Sequence, residues 1–103
     1  MTKIFVNPEI FQFIRKYKLP SSYCWYLSGL ILILSGNNRN ICFAGQYSLS
    51  EFSVKTGKNK QTLRNFIKNM ENYNLCEVTK NQYLNDLYHV AINPELNKFF
   101  IKK

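Results

Sequence analysis

Between Ser48 and Leu75 the chain reads SLSEFSVKTGKNKQTLRNFIKNMENYNL, and one glycine near the middle dictates how that stretch can fold. Gly57 is the residue type best able to take the left-handed conformation that closes a helix, so a helix before it has to stop there. Ser48 with Glu51 three residues on has the spacing of a capping box, which opens that helix at Leu49. Asn59 is a fresh N-cap just past the glycine, and the spacing predicts a second, longer helix from near Lys60. Leu63, Phe66, Ile67 and Met70 then recur at i, i+3, i+4 and i+7, one apolar stripe turned toward a core.

The other face of that second helix carries Lys60, Gln61, Arg64, Asn65 and Lys68. Gln and Asn can pair with adenine edges in a major groove, Arg and Lys with guanine, and the lysines also with phosphate. Lys55, Lys58, Lys60, Arg64 and Lys68 are all basic, and no acid interrupts them before Glu71. A solvated polar face is the bland reading of such a pattern. Two helices joined by a glycine turn, with the charge on the second one's outer face, favour a helix-turn-helix that reads duplex DNA.

A chain of 103 residues is expected to form one domain over 1–103. Its formal charge of +8 favours a polyanionic partner, nucleic acid or an anionic membrane surface, without choosing between them. Cys24, Cys42 and Cys76 are widely separated, with no C-x-x-C pair and a single His in the chain. That supports neither a disulfide framework nor a zinc site; small buried side chains in a reduced, cytoplasmic compartment fit best. The start, MTKIFVNPEIFQFIRKYK, puts charge and Pro where a secretory leader needs an apolar run, so no leader is expected.

Lys3 to Val6 is a short β-prone run. Asn7-Pro8-Glu9 is helix-start grammar, predicting a helix to about Lys18 with Arg15, Lys16 and Lys18 mostly outside. Ser21 or Ser22 can cap a second helix through YCWYLSGLILILS, ending at Gly36 before the polar loop 37–40. That run is too short for a membrane span, which needs about 20 apolar residues. It reads as the central core helix, and a homodimer through Tyr23, Trp25 or Tyr26 is the alternative to burial within one chain. Asn40 to Ala44 predicts a strand before Gly45. Leu75 to Lys80 and Leu87 to Ile92 are β-prone, with Asn81, Asn85 and Asp86 as turn formers between them, which predicts a hairpin. At the tail, INPELNKFFI echoes VNPEIFQFI near the start, and a closing apolar helix carrying Phe99, Phe100 and Ile101 is expected.

A strand, a helix-turn-helix (48–75) and then a hairpin (75–92) is the order of a winged helix, with the hairpin as wing. The expected fold is therefore mainly α with a small β-hairpin, a winged helix-turn-helix. Lys80, Asn81, Gln82 and Tyr83 near the wing tip can reach phosphates or the minor groove, whereas a carboxylate at Asp86 would be repelled there.

The run LSEFSVKTGKNKQTLRNFIKNMENYNL, followed by a hairpin and INPEL, resembles the winged-helix region of plasmid replication initiators of the RepL type and related phage replication or regulatory proteins. Gln61, Thr62 and Leu63 match that family's recognition helix, and Asn93-Pro94 matches the end of its wing. Ser53 and Lys55 stand at positions usually small, and Val54 at one usually polar. The resemblance covers roughly residues 46 to 96. It implies double-stranded DNA as partner, in transcription regulation or DNA replication of a plasmid, phage or mobile element. The candidate DNA contacts are Lys55, Lys58, Lys60, Gln61, Thr62, Arg64, Asn65, Lys68, Lys80, Asn81 and Gln82.

An alternative from another class is a winged helix that inhibits or recruits a host protein, with Tyr23, Trp25, Tyr73, Tyr83 and Tyr88 as surface aromatics. Single-stranded nucleic acid would need exposed aromatics among the basic residues, and the only aromatic from Lys55 to Lys68 is Phe66, on the apolar face. No catalytic role is expected. His89 stands alone, the acids are scattered, and no nucleophile motif or phosphate-cradling glycine loop is present, so no cofactor or metal is expected either.

Overall fold

The chain runs β1 (Ile4–Val6), α1 (Glu9–Lys16), α2 (Ser22–Ser35), β2 (Ala44–Ser48), α3 (Leu49–Thr56), α4 (Lys60–Asn72), β3 (Cys76–Lys80), β4 (Leu87–Ile92), a 3-10 helix (Pro94–Phe99) and β5 (Phe100–Lys102). This is a computed structural model that describes residues 4–36 and 41–102. The expected polar loop 37–40, Lys3 of the first β-prone run and Asn40 of the expected strand lie outside the described residues.

Capping chemistry places α3 and α4. The Ser48 hydroxyl accepts from the Glu51 N–H at 3.2 Å, and the Asn59 side chain accepts from the Thr62 N–H at 2.8 Å. Gly57 sits between the two helices at φ 71°. Helix α4 closes at Asn74, which takes φ 58° while its N–H donates to the Glu71 carbonyl and the Leu75 N–H donates to the Met70 carbonyl, both at 2.9 Å. Those two bonds form a Schellman motif, and they satisfy carbonyls that the helix end would otherwise leave unpaired. Lys18 repeats the motif at the end of α1, with φ 58° and donors from Lys18 and Leu19 to Arg15 and Ile14. The left-handed turn at Lys18 is why α1 stops at Lys16, short of the expected end. At the start of α1 the Asn7 side chain does accept, from the Glu9 N–H at 2.9 Å. At the start of α2 neither serine makes a side-chain cap; the backbone carbonyls of Pro20 and Ser21 take the first N–H groups instead.

Helix α2 is the core helix that its composition suggests. Tyr23, Cys24, Tyr26, Leu27, Leu30 and Ile31 are buried on it, while Trp25 is 63% exposed. The α4 stripe Leu63, Phe66, Ile67 and Met70 is buried against it. Phe66 meets Tyr23, Tyr26 and Phe52 edge-on, with ring centroids 5.0, 5.5 and 6.1 Å away. Edge-to-face rings set the negative face of one against the positive edge of another and add to the apolar burial. One cluster of buried side chains runs from Ile10 to Phe100.

The strands extend the expected picture of a mainly helical chain with a strand before the helix-turn-helix and a small hairpin after it. Strands β3 and β4 form the hairpin within one residue of its expected bounds, but β2 pairs along the other edge of β4, giving a three-stranded antiparallel sheet of order β2-β4-β3. The protein is thus a mixed α/β domain. The strand expected over Asn40 to Ala44 begins only at Ala44, because the segment that matches β4 is the one that buries Tyr47 and sets Gly45 opposite Val90. At Gly45 the backbone takes φ 151°, which L side chains rarely adopt, so the glycine expected to end the strand lies inside it.

The tail differs too. Asn93 repeats the Asn7 turn, its side chain accepting from the Glu95 N–H at 2.9 Å, yet a short 3-10 helix follows instead of an α-helix. The chain then extends as β5 and pairs antiparallel with β1, Val6 opposite Phe100. Pairing with β1 satisfies backbone groups of a Phe-Phe-Ile run whose ring side chains, Phe99 and Phe100, are buried.

Replacing Phe66 with alanine removes the ring on which α2, α3 and α4 converge. The expected loss is about 3–5 kcal/mol, a large part of the stability of a small domain, read as a fall in urea midpoint with an unchanged slope.

Candidate nucleic-acid interface

Because α4 buries one stripe, most of its remaining side chains face solvent. Lys60, Gln61, Arg64, Asn65 and Lys68 are all exposed, and Thr62 is half-buried beside them, its N–H held by the Asn59 cap. The polar row is connected along the helix. The Gln61 Nε2 donates to the Asn65 Oδ1 at 3.1 Å, and the Arg64 Nη1 donates to the Gln61 Oε1 at 3.5 Å. Such i, i+3 and i, i+4 bonds restrict three flexible side chains before any ligand arrives. Asn69, which was not singled out from sequence, turns inward and donates to the Tyr23 hydroxyl at 2.7 Å. Its position on the α4 helix is a boundary one, between the stripe and the exposed row, and periodicity alone does not say which way such a residue turns.

Arg64 and Lys68 also line a groove of about 290 Å³ between α4 and the sheet, opposite Tyr47, Val78 and Tyr88, with Glu71 at its rim. Tyr47 stacks on Tyr88 with centroids 5.5 Å apart. Burial pushes the Tyr47 hydroxyl well above its ordinary range, so it stays neutral.

The hairpin tip is tied to the start of both helices through Asp86. Its carboxylate accepts from the Ser48 hydroxyl at 2.6 Å and from the Ser50 N–H at 3.1 Å, while its carbonyl accepts from the Leu49 N–H at 2.9 Å. Lys60 Nζ stands 3.7 Å from the same carboxylate. A negative charge at the first turn of α3 also sits favourably with the helix dipole. Asp86 therefore serves the turn between Ser48 and α3, and it partly neutralises Lys60. No local pattern reveals this, since Ser48 lies 38 residues earlier. The rest of the tip is held by Asn81, whose Oδ1 accepts from the Tyr83 and Leu84 N–H groups at 2.8 and 2.9 Å. Asn81 is thus engaged inside the loop, while Lys80, Gln82 and Tyr83 are exposed.

Two of the candidate contacts lie apart from this set. Lys55 and Lys58 line a different groove, one they share with Trp25 on α2. Val54 is 84% exposed and the Ser53 hydroxyl donates to the Lys58 carbonyl, so the unusual residues of the α3 segment cause no burial conflict. Of the expected surface aromatics, Trp25, Tyr73 and Tyr83 are exposed. Tyr88 is half-buried on Tyr47, and Tyr23 is in the core, because the α2 face toward α4 takes it.

His89 is exposed on β4, between Gln46 and Thr79 on the flanking strands. Burial pushes the Cys24 thiol up to about 11 and the Cys76 thiol up to about 12, so neither is a thiolate at neutral pH. Among the described residues no group of three metal-ligating side chains comes together, and no helix is long and apolar enough to cross a membrane. Comparison with protein-family models, curated proteins and solved structures finds no match to this chain.

The Ser48 hydroxyl, the Ser50 N–H and Lys60 together hold the Asp86 carboxyl below its ordinary value of 3.8. A carboxyl with a depressed folded-state pKa contributes stability in full above its unfolded value and loses it as pH falls through the folded one. The expected outcome is that wild type and Asp86→Asn differ most in urea midpoint above about pH 4, with the gap closing as pH falls below it. A gap independent of pH would show that the carboxylate charge contributes nothing to the clamp.

Proposed function

We propose that this chain is a winged-helix protein that binds double-stranded DNA, with α4 entering the major groove and the β3–β4 hairpin serving as the wing. The observation that carries this reading is the bonded row Gln61, Arg64 and Asn65 on the exposed face of α4, continued by Lys68 and free of acids. Amide and guanidinium groups on one helical face match the adenine and guanine edges of a major groove. The order α2, β2, α3, α4, β3, β4 with a β2-β4-β3 sheet supports the same reading, since that is the layout of a winged helix.

In this arrangement Gln61, Arg64 and Asn65 read bases. Lys60, Lys68 and Lys80 contact phosphates, and Gln82 and Tyr83 extend the wing along the backbone. Asp86 orients the hairpin tip relative to α4 rather than meeting the duplex. The biological setting that fits is control of transcription or replication by a plasmid, phage or other mobile element in the cytoplasm, as the resemblance implies.

Fluorescence-anisotropy titrations with duplex DNA across a salt series test the reading. With about three phosphates neutralised, log K is expected to fall against log salt with a slope of roughly −2.7. Arg64→Ala is expected to cost about 1–3 kcal/mol and to relax preference at one base pair, whereas Lys68→Ala weakens all duplexes alike and flattens the slope by about 0.9. If Arg64→Ala changes neither affinity nor preference, α4 does not read the groove.

A further inference from the structure

The groove that holds Lys55 and Lys58 shares no residue with the α4 row. It is an open depression of about 550 Å³ between α2 and α3, floored by Tyr26, Gly29 and Leu32. Gly29 makes the close approach of the two helices there: a Cβ at that position would lie 3.1 Å from the Thr56 methyl. Trp25 forms one wall. It is 63% exposed, and its ring is braced edge-to-face on Phe11 at 6.1 Å. A large indole left in water next to an apolar floor offers apolar surface that a partner can cover. Two exposed lysines stand on the α3 side, and among the described residues no carboxylate lines the groove.

We propose that this groove docks an acidic peptide segment of a partner protein. A bulky apolar side chain of the segment packs against Trp25, Tyr26 and Leu32, and its carboxylates pair with Lys55 and Lys58. The volume falls within the roughly 300–1,000 Å³ of clefts that take a small ligand, room enough for a large side chain. Charge complementarity selects the acids: Lys55 and Lys58 form no ion pair among the described residues, and two such exposed cations gain from an anionic partner that also covers the apolar floor. A single-stranded nucleic acid fits less well, because stacking platforms present several exposed aromatics along a groove, and of the two aromatics described in this lining Trp25 is exposed while Tyr26 is buried. The proposal does not rest on duplex binding by α4.

Trp25 is the only tryptophan of the chain, so its emission reports the groove directly. The probe is a pool of synthetic peptides, each with one Leu, Ile or Met flanked by Asp and Glu and no aromatic residue, titrated into the full chain. The acidic pool is expected to shift Trp25 emission to the blue as water leaves the indole. The Lys55→Glu, Lys58→Glu double variant is expected to bind that pool at least tenfold more weakly and to gain binding of a matched pool in which Lys replaces Asp and Glu. The proposal is overturned if the acidic pool leaves the emission unchanged, if the basic pool binds wild type equally well, or if the double variant binds as wild type does. It also falls if oligothymidylate shifts the emission at lower concentration than the acidic pool. Duplex anisotropy with Arg64→Ala is read separately, so failure of the α4 reading and failure of this one are distinguishable.

Discussion

Burial of Leu63, Phe66, Ile67 and Met70 against α2 and α3 is the interaction on which the rest of the structure depends. A helix has one azimuth, and once these four side chains are in the core it has no freedom left to rotate. Gln61, Arg64, Asn65 and Lys68 are then exposed as a consequence, in a single row. Phe66 is the centre of this constraint, because it touches rings from α2 and α3 at once. Orientation of the polar face is therefore set by apolar contacts, and the polar bonds along it only narrow the rotamers.

The sheet attaches to that helical unit at two ends. At one end Asn93 donates from its side chain to the Asn74 carbonyl and from its backbone to the Leu75 carbonyl, both at 2.9 Å, so the end of β4 is held to the close of α4. At the other, Asp86 gathers donors from Ser48, Leu49 and Ser50 and stands near Lys60. The hairpin is fixed at its tip and its base, which positions Lys80 and Gln82 relative to α4. A surface ion pair such as Lys60–Asp86 contributes little by itself. The hydrogen bonds to Asp86 do more, because they satisfy N–H groups that a helix start leaves without partners.

Much of this was legible in the chain where the signal is local. The boundaries of α3 and α4, the Gly57 turn, the Asn59 cap and the apolar stripe of α4 all come from spacings of a few residues, and so does the hairpin, with its turn formers between two β-prone runs. What misled was also local. Gly45 reads as a terminator but lies inside β2, because pairing with β4 rather than propensity decides where that strand runs. Asn93-Pro94-Glu95 repeats the Asn7-Pro8-Glu9 grammar and makes the same turn, and then the two segments part, since β1 is available to pair with whatever follows Phe99.

The sequence by itself determined that Ser48 and Asn59 cap, that Gly57 turns, and which stripe of α4 is apolar, because each of those depends on neighbours within about two helical turns. Only the tertiary structure decided that Tyr23 is buried while Trp25 is exposed, and that Asp86 serves the start of α3. Only there do the basic residues divide, Arg64 and Lys68 lining one groove and Lys55 and Lys58 another. The physical reason is common to all three. A helix such as α2, apolar nearly all round, carries no pattern that says which face its neighbours will cover. Likewise a contact spanning 38 residues leaves no periodicity along the chain.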